Sequence, residues 1–424
     1  MRLPSMPPRG RSGAWLVALG IALLLVIQPM WSDQVAAAVA GAILLTILAA
    51  SRWQLRWLPV IVLVASGVIL RLANWHIDSS DVDDVTRAAL ERVLAGLSPY
   101  GLGYGASEPP GAGWPYGPVA VAWYLPTAFD PTIMEWLVST VLLVALALRA
   151  GAGRPLGLAI FAVAPPLVLA TVDGSNDTSA GFLILLALVV AARRPVAGAA
   201  LLAIAVAFKP YAAAWLPPLV ALGGLPVLAG FVAASVAAWS PVLLAWGLPG
   251  YLRSLHLAEL AHLRNAYWSL GAVLDGLVPG GAPQVLETLR YGFGGVAAAV
   301  GFRYVRVSRP TIDGVIFAGT ATFVAAQFGG YFGSYVYLAA LAPILCWRVD
   351  DWFRTVVVAL ARDHRSVGRL AREHTAPVTA PLLRPRPATG WLAARTATSN
   401  AGRARRGGHD QRERPAPLSR LPGT

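Results

Sequence analysis

Long uncharged segments alternate with short arginine-bearing segments along most of the chain. Residues 12–32, 34–51, 155–172 and 210–252 contain no Asp, Glu, Lys or Arg. Each is long enough to cross a hydrocarbon core of about 30 Å as a helix. A spanning segment must satisfy its own backbone polar groups, which favours helices. The pattern therefore predicts an all-α protein, a polytopic transmembrane bundle of about ten to twelve helices.

The pattern also predicts where the spans break. An apolar stretch at 117–129 is too short to cross and is expected to be a re-entrant or interfacial helix. Residues 196–222 are expected to form two short helices broken at Lys209-Pro210, because proline interrupts a helix. The first apolar segment is expected to be a span and not a cleaved signal peptide, because further spans follow it. The predicted spans are 14–30, 35–50, 57–75, 132–148, 155–172, 178–192, 196–208, 211–222, 227–246, 291–306, 312–329 and 333–348.

Composition supports membrane insertion. Hydrophobic residues make up 56% of the 424 residues and charged residues 13%, too few to solvate a soluble globule of this length. Much of the net charge of +13 lies after residue 350, where 14 Arg face five acidic residues, a difference of +9. That segment is also rich in Pro, Gly, Ala, Ser and Thr. We predict a transmembrane domain at 1–349 and a disordered, arginine-rich tail at 350–424 with some attraction to anionic lipid.

The distribution of charge predicts the orientation. Arginines collect in one set of loops, at 52–56, 149–154, 193–194 and 303–309, and such loops are cytoplasmic by the positive-inside rule. Carboxylates collect in the intervening loops, at about 76–131 and 173–177, and a further long loop lies at 247–290. We therefore expect a multi-pass plasma-membrane protein with both termini cytoplasmic and with these three loops outside. Nucleic-acid binding is not expected, because no aromatic residues interleave the basic ones.

The first outer loop carries four carboxylates within seven residues: Asp78, Asp81, Asp83 and Asp84. An amphipathic helix is expected at 82–97, lying along the membrane surface. Aspartates at its start could serve as caps. Four carboxylates this close repel one another and so cost stability, which favours a functional role for them. They could instead supply a general base or hold a divalent metal through Asp81 and Asp83. Downstream, Tyr100, Trp114 and Tyr116 predict either an aromatic belt at the interface or a surface that stacks on sugar rings.

Three further candidates lie outside that loop. The turn 173–177 offers Asp173, Asn176 and Asp177 as hydrogen-bond acceptors for sugar hydroxyls, unless it is simply a polar turn. Lys209 is the only lysine among 34 basic residues and sits in an apolar stretch. It could hold a lipid-linked phosphate or extend to the interface. In the loop 247–290, Arg264 and Asn265 could contact a phosphate or an acceptor.

Several short motifs follow one another along the chain: Asp81-Val-Asp83, Gly96-Leu-Ser-Pro-Tyr100, Tyr116-Gly-Pro118, Asn176-Asp177 and Ala207-Phe-Lys-Pro210. In this order they resemble the motifs of the polyprenyl-phosphate-mannose-dependent membrane glycosyltransferases of the C type, nearest the bacterial alpha-1,2-mannosyltransferases. The resemblance covers about residues 57–347 and differs at Val85, where the family usually has an aromatic residue.

The resemblance implies an extracytoplasmic active site that transfers a sugar, mannose, from a polyprenyl phosphate to a cell-envelope glycolipid or polysaccharide with inversion. It implies that Asp81 is the general base, with Asp83 and Asp78 as rivals, and that Lys209 sits with the donor phosphate. No cofactor is required by this interpretation, and a divalent metal stays an alternative. A membrane transporter or lipid flippase is the alternative function, with the acidic loop as an ion gate.

Overall fold

The computed structural model describes residues 8–28, 33–50, 57–75, 80–108, 110–262, 270, 273, 277, 283–329 and 335–375. These residues are mostly helical, as the sequence predicts. The helices are α1 (Pro8–Val26), α2 (Asp33–Ala50), α3 (Leu58–Ala73), α4 (Asp81–Leu94), α5 (Pro118–Tyr124), α6 (Thr132–Gly151), α7 (Leu156–Val163), α8 (Pro165–Val172), α9 (Asp177–Ala191), α10 (Pro195–Phe208), α11 (Leu216–Gly223), α12 (Leu225–Trp246), α13 (Leu248–His262), α14 (Pro283–Val307), α15 (Ile312–Phe328) and α16 (Ala342–Thr375).

Two of the described helices are long and apolar enough to cross a membrane, α6 and α12. The pair α8 and α9, bent by 107°, would make a third if it counts as one broken span. Several other apolar helices, such as α3, α10 and α15, are shorter than 18 residues. The described helices thus provide fewer candidate spans than the sequence predicts.

Proline accounts for part of that difference. The predicted span 155–172 is cut at Ala164, whose extended backbone precedes Pro165 and Pro166, because a residue before proline avoids the helical region. The predicted break at Lys209-Pro210 is confirmed: α10 ends at Phe208, Lys209 is extended, and Pro210–Trp215 form a 3₁₀ turn before α11. Both breaks shorten helices that the apolar pattern alone would draw as continuous.

The described part of the predicted outer loop at 76–131 contains helices and a small sheet. The predicted amphipathic helix is α4, which buries Val85, Ala89 and Leu90 on one face. A two-stranded antiparallel sheet follows, β1 (Gly103–Tyr104) and β2 (Ala112–Gly113). The apolar stretch predicted as a short non-crossing helix is α5, followed by the 3₁₀ turn Leu125–Thr127. The helix α5 packs against α10 and α12, and β2 contacts α13.

The helix α10 is packed among several other helices. It contacts α9, α12 and α5, and small residues such as Ala199, Ala203 and Ala207 are fully buried along it. Small side chains let helix backbones approach closely, as is common inside membrane proteins. The end of α10 therefore carries Lys209 into a position surrounded by other elements.

The helix α16 continues beyond the predicted domain boundary at 349. Asp350 accepts hydrogen bonds from the backbone N–H groups of Leu156 and Gly157, both at 3.0 Å, and so caps the start of α7. Asp351 pairs with Arg149 at 3.2 Å and with Arg154 at 3.3 Å. The chain divides into compact units at 1–363 and 364–424. In the second unit only 364–375, the end of α16, are described, so most of the predicted tail lies outside the described residues.

Candidate functional site

The acidic start of α4 is capped by a serine and not by an aspartate. The Ser80 side chain accepts a hydrogen bond from the backbone N–H of Val82 at 3.2 Å, which satisfies one free amide of the first turn. Asp81, Asp83 and Asp84 follow within that turn, where the helix dipole favours negative charge. Their carboxylates are therefore free of the N-cap role that the sequence left open.

Those three carboxylates have different surroundings. Asp83 is 2% exposed, pairs with Arg87 at 2.7 Å and accepts a hydrogen bond from Thr132 at 3.3 Å. Burial raises the pKa of Asp83 above its usual value, against the opposing effect of Arg87. The Asp84 side chain is 51% exposed. Asp81 is half-buried, and its Oδ2 accepts the backbone N–H of Glu108 at 2.9 Å. Asp81 is thus positioned by a hydrogen bond yet open on one side.

The second acidic turn lies directly against the first. Asp173 ends α8, its side chain accepts the backbone N–H of Ser175 at 2.8 Å, and its carbonyl oxygen accepts the backbone N–H of Ser80. Gly174 has φ of +81°, and a Cβ there would lie 2.6 Å from the Cβ of Asp83. The turn 173–177 therefore packs so closely against the start of α4 that there is no room for a side chain at position 174, which requires glycine.

Lys209 is buried and held by this turn. It is 7% exposed, and its ammonium donates to Oδ1 of Asn176 at 2.6 Å and to Oδ1 of Asp177 at 2.7 Å. Both partners lie at the start of α9, while Lys209 ends α10, so two helix ends meet at one charge pair. Sequence neighbours of Lys209 are uncharged, but the fold supplies the carboxylate that a buried cation needs.

Three tyrosine rings surround the ammonium. The Lys209 nitrogen lies 5.4 Å from the ring centre of Tyr116, 5.1 Å from Tyr211 and 5.4 Å from Tyr337. Such distances permit cation–π attraction. The Tyr211 hydroxyl donates to Asp177 Oδ1 at 2.6 Å. The sequence pointed to Tyr116 but missed Tyr211 and Tyr337; for Tyr211 the signal was its place two residues after the lone lysine.

Tyr116 connects this cluster to the first loop. Burial, then Tyr337 and the charges of Asp177 and Asp81, raises the pKa of the Tyr116 phenol well above its usual value. The phenol therefore stays neutral, and Asp81 lies near enough to act on it electrostatically. The Asn176 side-chain nitrogen is buried beside this phenol. Within the described residues it has no partner at hydrogen-bonding geometry.

Glu135 is a further buried carboxylate that the sequence did not single out. It lies in the first turn of α6, is 1% exposed, and accepts a hydrogen bond from the Tyr124 hydroxyl. Its Oε2 accepts the backbone N–H of Ser179 at 3.0 Å, so it caps α9 from a neighbouring helix. An acidic residue at the start of an otherwise apolar helix was the available signal.

Tyr100 and Trp114 are packing residues in this structure, which corrects both expectations for them. Trp114 is 0% exposed and Tyr100 is 4% exposed, so these rings lie neither in a surface belt nor on an open sugar platform. The Tyr100 ring packs 5.5 Å from Trp114 and 5.4 Å from Tyr251, centre to centre. Its hydroxyl donates to the backbone oxygen of Tyr116 at 3.1 Å, which fixes the turn that carries Tyr116.

The remaining predicted residues are placed as follows. Asp78, Arg264 and Asn265 lie outside the described residues. In the described part of the chain no group of three His, Cys, Asp or Glu side chains could hold a metal ion. For the metal alternative at Asp81 and Asp83, the Asp83 carboxylate is already engaged by Arg87 and Thr132.

The site thus combines a half-buried carboxylate, a buried ammonium and polar groups from three segments of the chain. A carboxylate and an ammonium in one region are groups that can serve general-base chemistry and the binding of an anion. No protein-family model matches the chain, and neither a curated protein nor a solved structure matches it.

Proposed function

We propose that this chain is a polytopic plasma-membrane glycosyltransferase that moves a sugar, mannose, from a polyprenyl phosphate to an envelope glycolipid or polysaccharide on the extracytoplasmic face. The observation that supports it is the meeting of the α4 aspartates, the turn 173–177 and Lys209. These groups come from distant parts of the sequence and share one small region. The resemblance noted in the sequence involves the same segments.

In the proposed reaction, the oxygen of an acceptor hydroxyl attacks the anomeric carbon of the donor sugar from the face opposite the phosphate. The bond between that carbon and the phosphate oxygen breaks, and the phosphate leaves with the electron pair. Asp81 takes the hydroxyl proton as general base. Attack from the opposite face inverts the anomeric configuration.

The surroundings of the aspartates favour Asp81 as this base. Asp83 is buried and committed to Arg87 and Thr132, and Asp84 lies on the exposed side of α4. Asp81 is half-buried and is oriented through one carboxylate oxygen, which leaves the other oxygen for a substrate. A general base needs that combination of fixed position and access.

Lys209 is proposed to stabilise the leaving phosphate. An ammonium has three N–H donors, and Asn176 and Asp177 accept two of them. The third N–H is proposed to reach the phosphate, with Asn176 supplying its side-chain nitrogen as a second donor. Since Asp177 already neutralises the ammonium, Arg264 is proposed to add the positive charge that the phosphate still requires.

The experiment compares Asp81→Asn with Asp84→Asn in purified protein supplied with polyprenyl-phosphate mannose and an envelope lipid extract. Asp84 is the matched control because it lies in the same helix turn and is exposed. We expect Asp81→Asn to lower transfer by about 10² to 10⁴, the usual contribution of a general base, while Asp84→Asn stays near the parent rate. Equal rates in all three proteins would remove the mechanism.

A second candidate function is transport, and one observation favours it. Lys209 and Asp177 form a buried ion pair where two interrupted helical segments meet, α8–α9 and α10 with its 3₁₀ turn. Interrupted helices around intramembrane charges are typical of secondary transporters. Ion-coupled uptake by proteoliposomes that show no sugar transfer would favour this function; transfer without uptake would favour the first.

A further inference from the structure

Two consecutive prolines leave two carbonyl groups of α7 without backbone donors. In an α-helix the carbonyl of residue i accepts the N–H of residue i+4. For Phe161 and Ala162 those positions are Pro165 and Pro166, which have no N–H. Ala162 is 0% exposed and Phe161 is 1% exposed, so water cannot easily replace the missing donors. A buried carbonyl left without a partner is destabilising.

Arg71 of α3 supplies the two missing donors. Its Nη2 donates to the carbonyl oxygen of Phe161 at 3.0 Å, and its Nη1 donates to the carbonyl oxygens of Ala162 at 3.3 Å and Gly67 at 3.0 Å. The guanidinium carbon lies 5.0 Å from the Phe161 ring centre. Gly67 allows this approach, because a Cβ there would lie 3.2 Å from Ala162.

Arg71 is a fully buried cation whose hydrogen-bond partners are backbone carbonyls. Arg71 is 0% exposed, and its hydrogen bonds within the described residues all go to backbone carbonyls and not to carboxylates. Burying an unpaired charge among apolar helices is costly. The flat fork of the guanidinium presents several donors at fixed geometry, which a lysine ammonium does not. The position therefore requires arginine for its donors.

The break that Arg71 holds lies one short helix away from the candidate site. The helix α8 runs from Pro165 to Val172, about 12 Å at the usual rise per residue. Asp173 follows at once, and its carbonyl oxygen binds the Ser80 N–H at the start of α4. The direction in which α8 leaves the break therefore determines where the turn 173–177 meets α4.

We propose that Arg71 is a positioning residue whose guanidinium replaces the two backbone amides that Pro165 and Pro166 lack, and so fixes the turn 173–177 against α4. This inference concerns how the site is held. It goes beyond the proposed function and is independent of which reaction or transport step the site performs.

The test is amide hydrogen exchange on the purified full chain. Arg71→Leu removes every donor, and Arg193→Leu, at an exposed arginine, is the matched control for loss of charge. We expect exchange of the Ser80 amide and of the amides of residues 167–180 to accelerate about tenfold or more in Arg71→Leu, as local protection is lost. Exchange in α10 and in the control protein should match the parent. Arg71→Gln, which retains one amide donor group, should accelerate exchange less and serves where the leucine variant does not fold.

A second variant separates positioning from simple stabilisation. Arg71→Leu combined with Pro165→Ala and Pro166→Ala gives both carbonyls backbone donors again. We expect the amides of α8 to regain protection, but not the Ser80 amide, because an uninterrupted helix would direct the turn 173–177 elsewhere. Unchanged Ser80 exchange in the folded Arg71 variants would overturn the inference. Restored Ser80 protection in the triple variant would also overturn it, since Arg71 would then only stabilise.

Discussion

Breaking the ion pair between Lys209 and Asp177 tests whether the fold depends on the charge cluster. In Lys209→Met, the Asp177 carboxylate, with 3% of its side chain exposed, loses its cation; in Asp177→Asn, the ammonium, with 8% exposed, loses its carboxylate. An uncompensated buried charge typically costs about 3–5 kcal/mol. We expect each single variant to lose stability in that range, with Lys209→Met nearer its lower end because Tyr211 still donates to Asp177.

The double variant should be far less damaging than either single change would suggest. With both charges removed, no buried charge is left unpaired, and replacing a whole buried pair is often close to neutral. The measurement is the free energy of unfolding in mixed micelles for all four proteins, analysed as a double-mutant cycle. We expect a coupling free energy of at least about 2 kcal/mol between the two positions. Asp84→Asn, an exposed carboxylate, is the control and should change stability by less than about 1 kcal/mol. Additive single losses, or losses as small as the control's, would refute this account of the cluster.

Three further predictions concern the two loops. Burial raises the folded-state pKa of Asp83 above 3.8, so the folded protein binds this proton more tightly than the unfolded chain does. The resulting stabilisation is present at low pH and is lost as pH rises through the folded-state pKa. In Asp83→Asn the unfolding free energy should therefore fall less steeply above about pH 4. Gly174→Ala should lower activity and destabilise the fold by about 1–2 kcal/mol, because φ is +81° and the new Cβ meets Asp83; Gly105→Ala, with open space around it, is the control in thermal unfolding. Tyr100→Phe should lose about 1 kcal/mol of unfolding free energy with its hydrogen bond to Tyr116; no loss would show that this bond is dispensable.

Much of the fold follows from local sequence. The amphipathic α4 and the break at Lys209-Pro210 were predictable, because helical spacing and proline act through neighbouring residues. The break at Ala164 was missed, although Pro165 and Pro166 were its signal. Residues 155–172 are apolar throughout, so hydropathy predicts one continuous span. Hydropathy reports solvent preference and does not show where the backbone hydrogen bonds of a helix are interrupted.

The sequence identified most residues of the candidate site but not which of them contact one another. Asp81, Asn176, Asp177 and Lys209 were all singled out, and the structure brings the last three into direct contact. The pairing itself joins residues more than 30 positions apart, and it depends on how α9 and α10 pack, which no local pattern encodes.

Aromatic roles were the least predictable. Tyr100 and Trp114 were expected at a surface and are buried, whereas Tyr211 and Tyr337 face the ammonium. Aromatic residues suit interfaces and cores alike, so residue type alone does not decide between the two. Their placement follows from tertiary packing.

Sidedness tests the central claim most directly, since the proposed chemistry requires the start of α4 to open outside the cell. The measurement is labelling of Asp84→Cys by a membrane-impermeant maleimide in intact cells, in a Cys346→Ala background that removes the native cysteine. Arg193→Cys, also exposed and expected in the cytoplasm, is the matched control. We expect Asp84→Cys to react in intact cells and Arg193→Cys to react only after the membrane is opened. Labelling of Asp84→Cys only in opened cells would contradict the account.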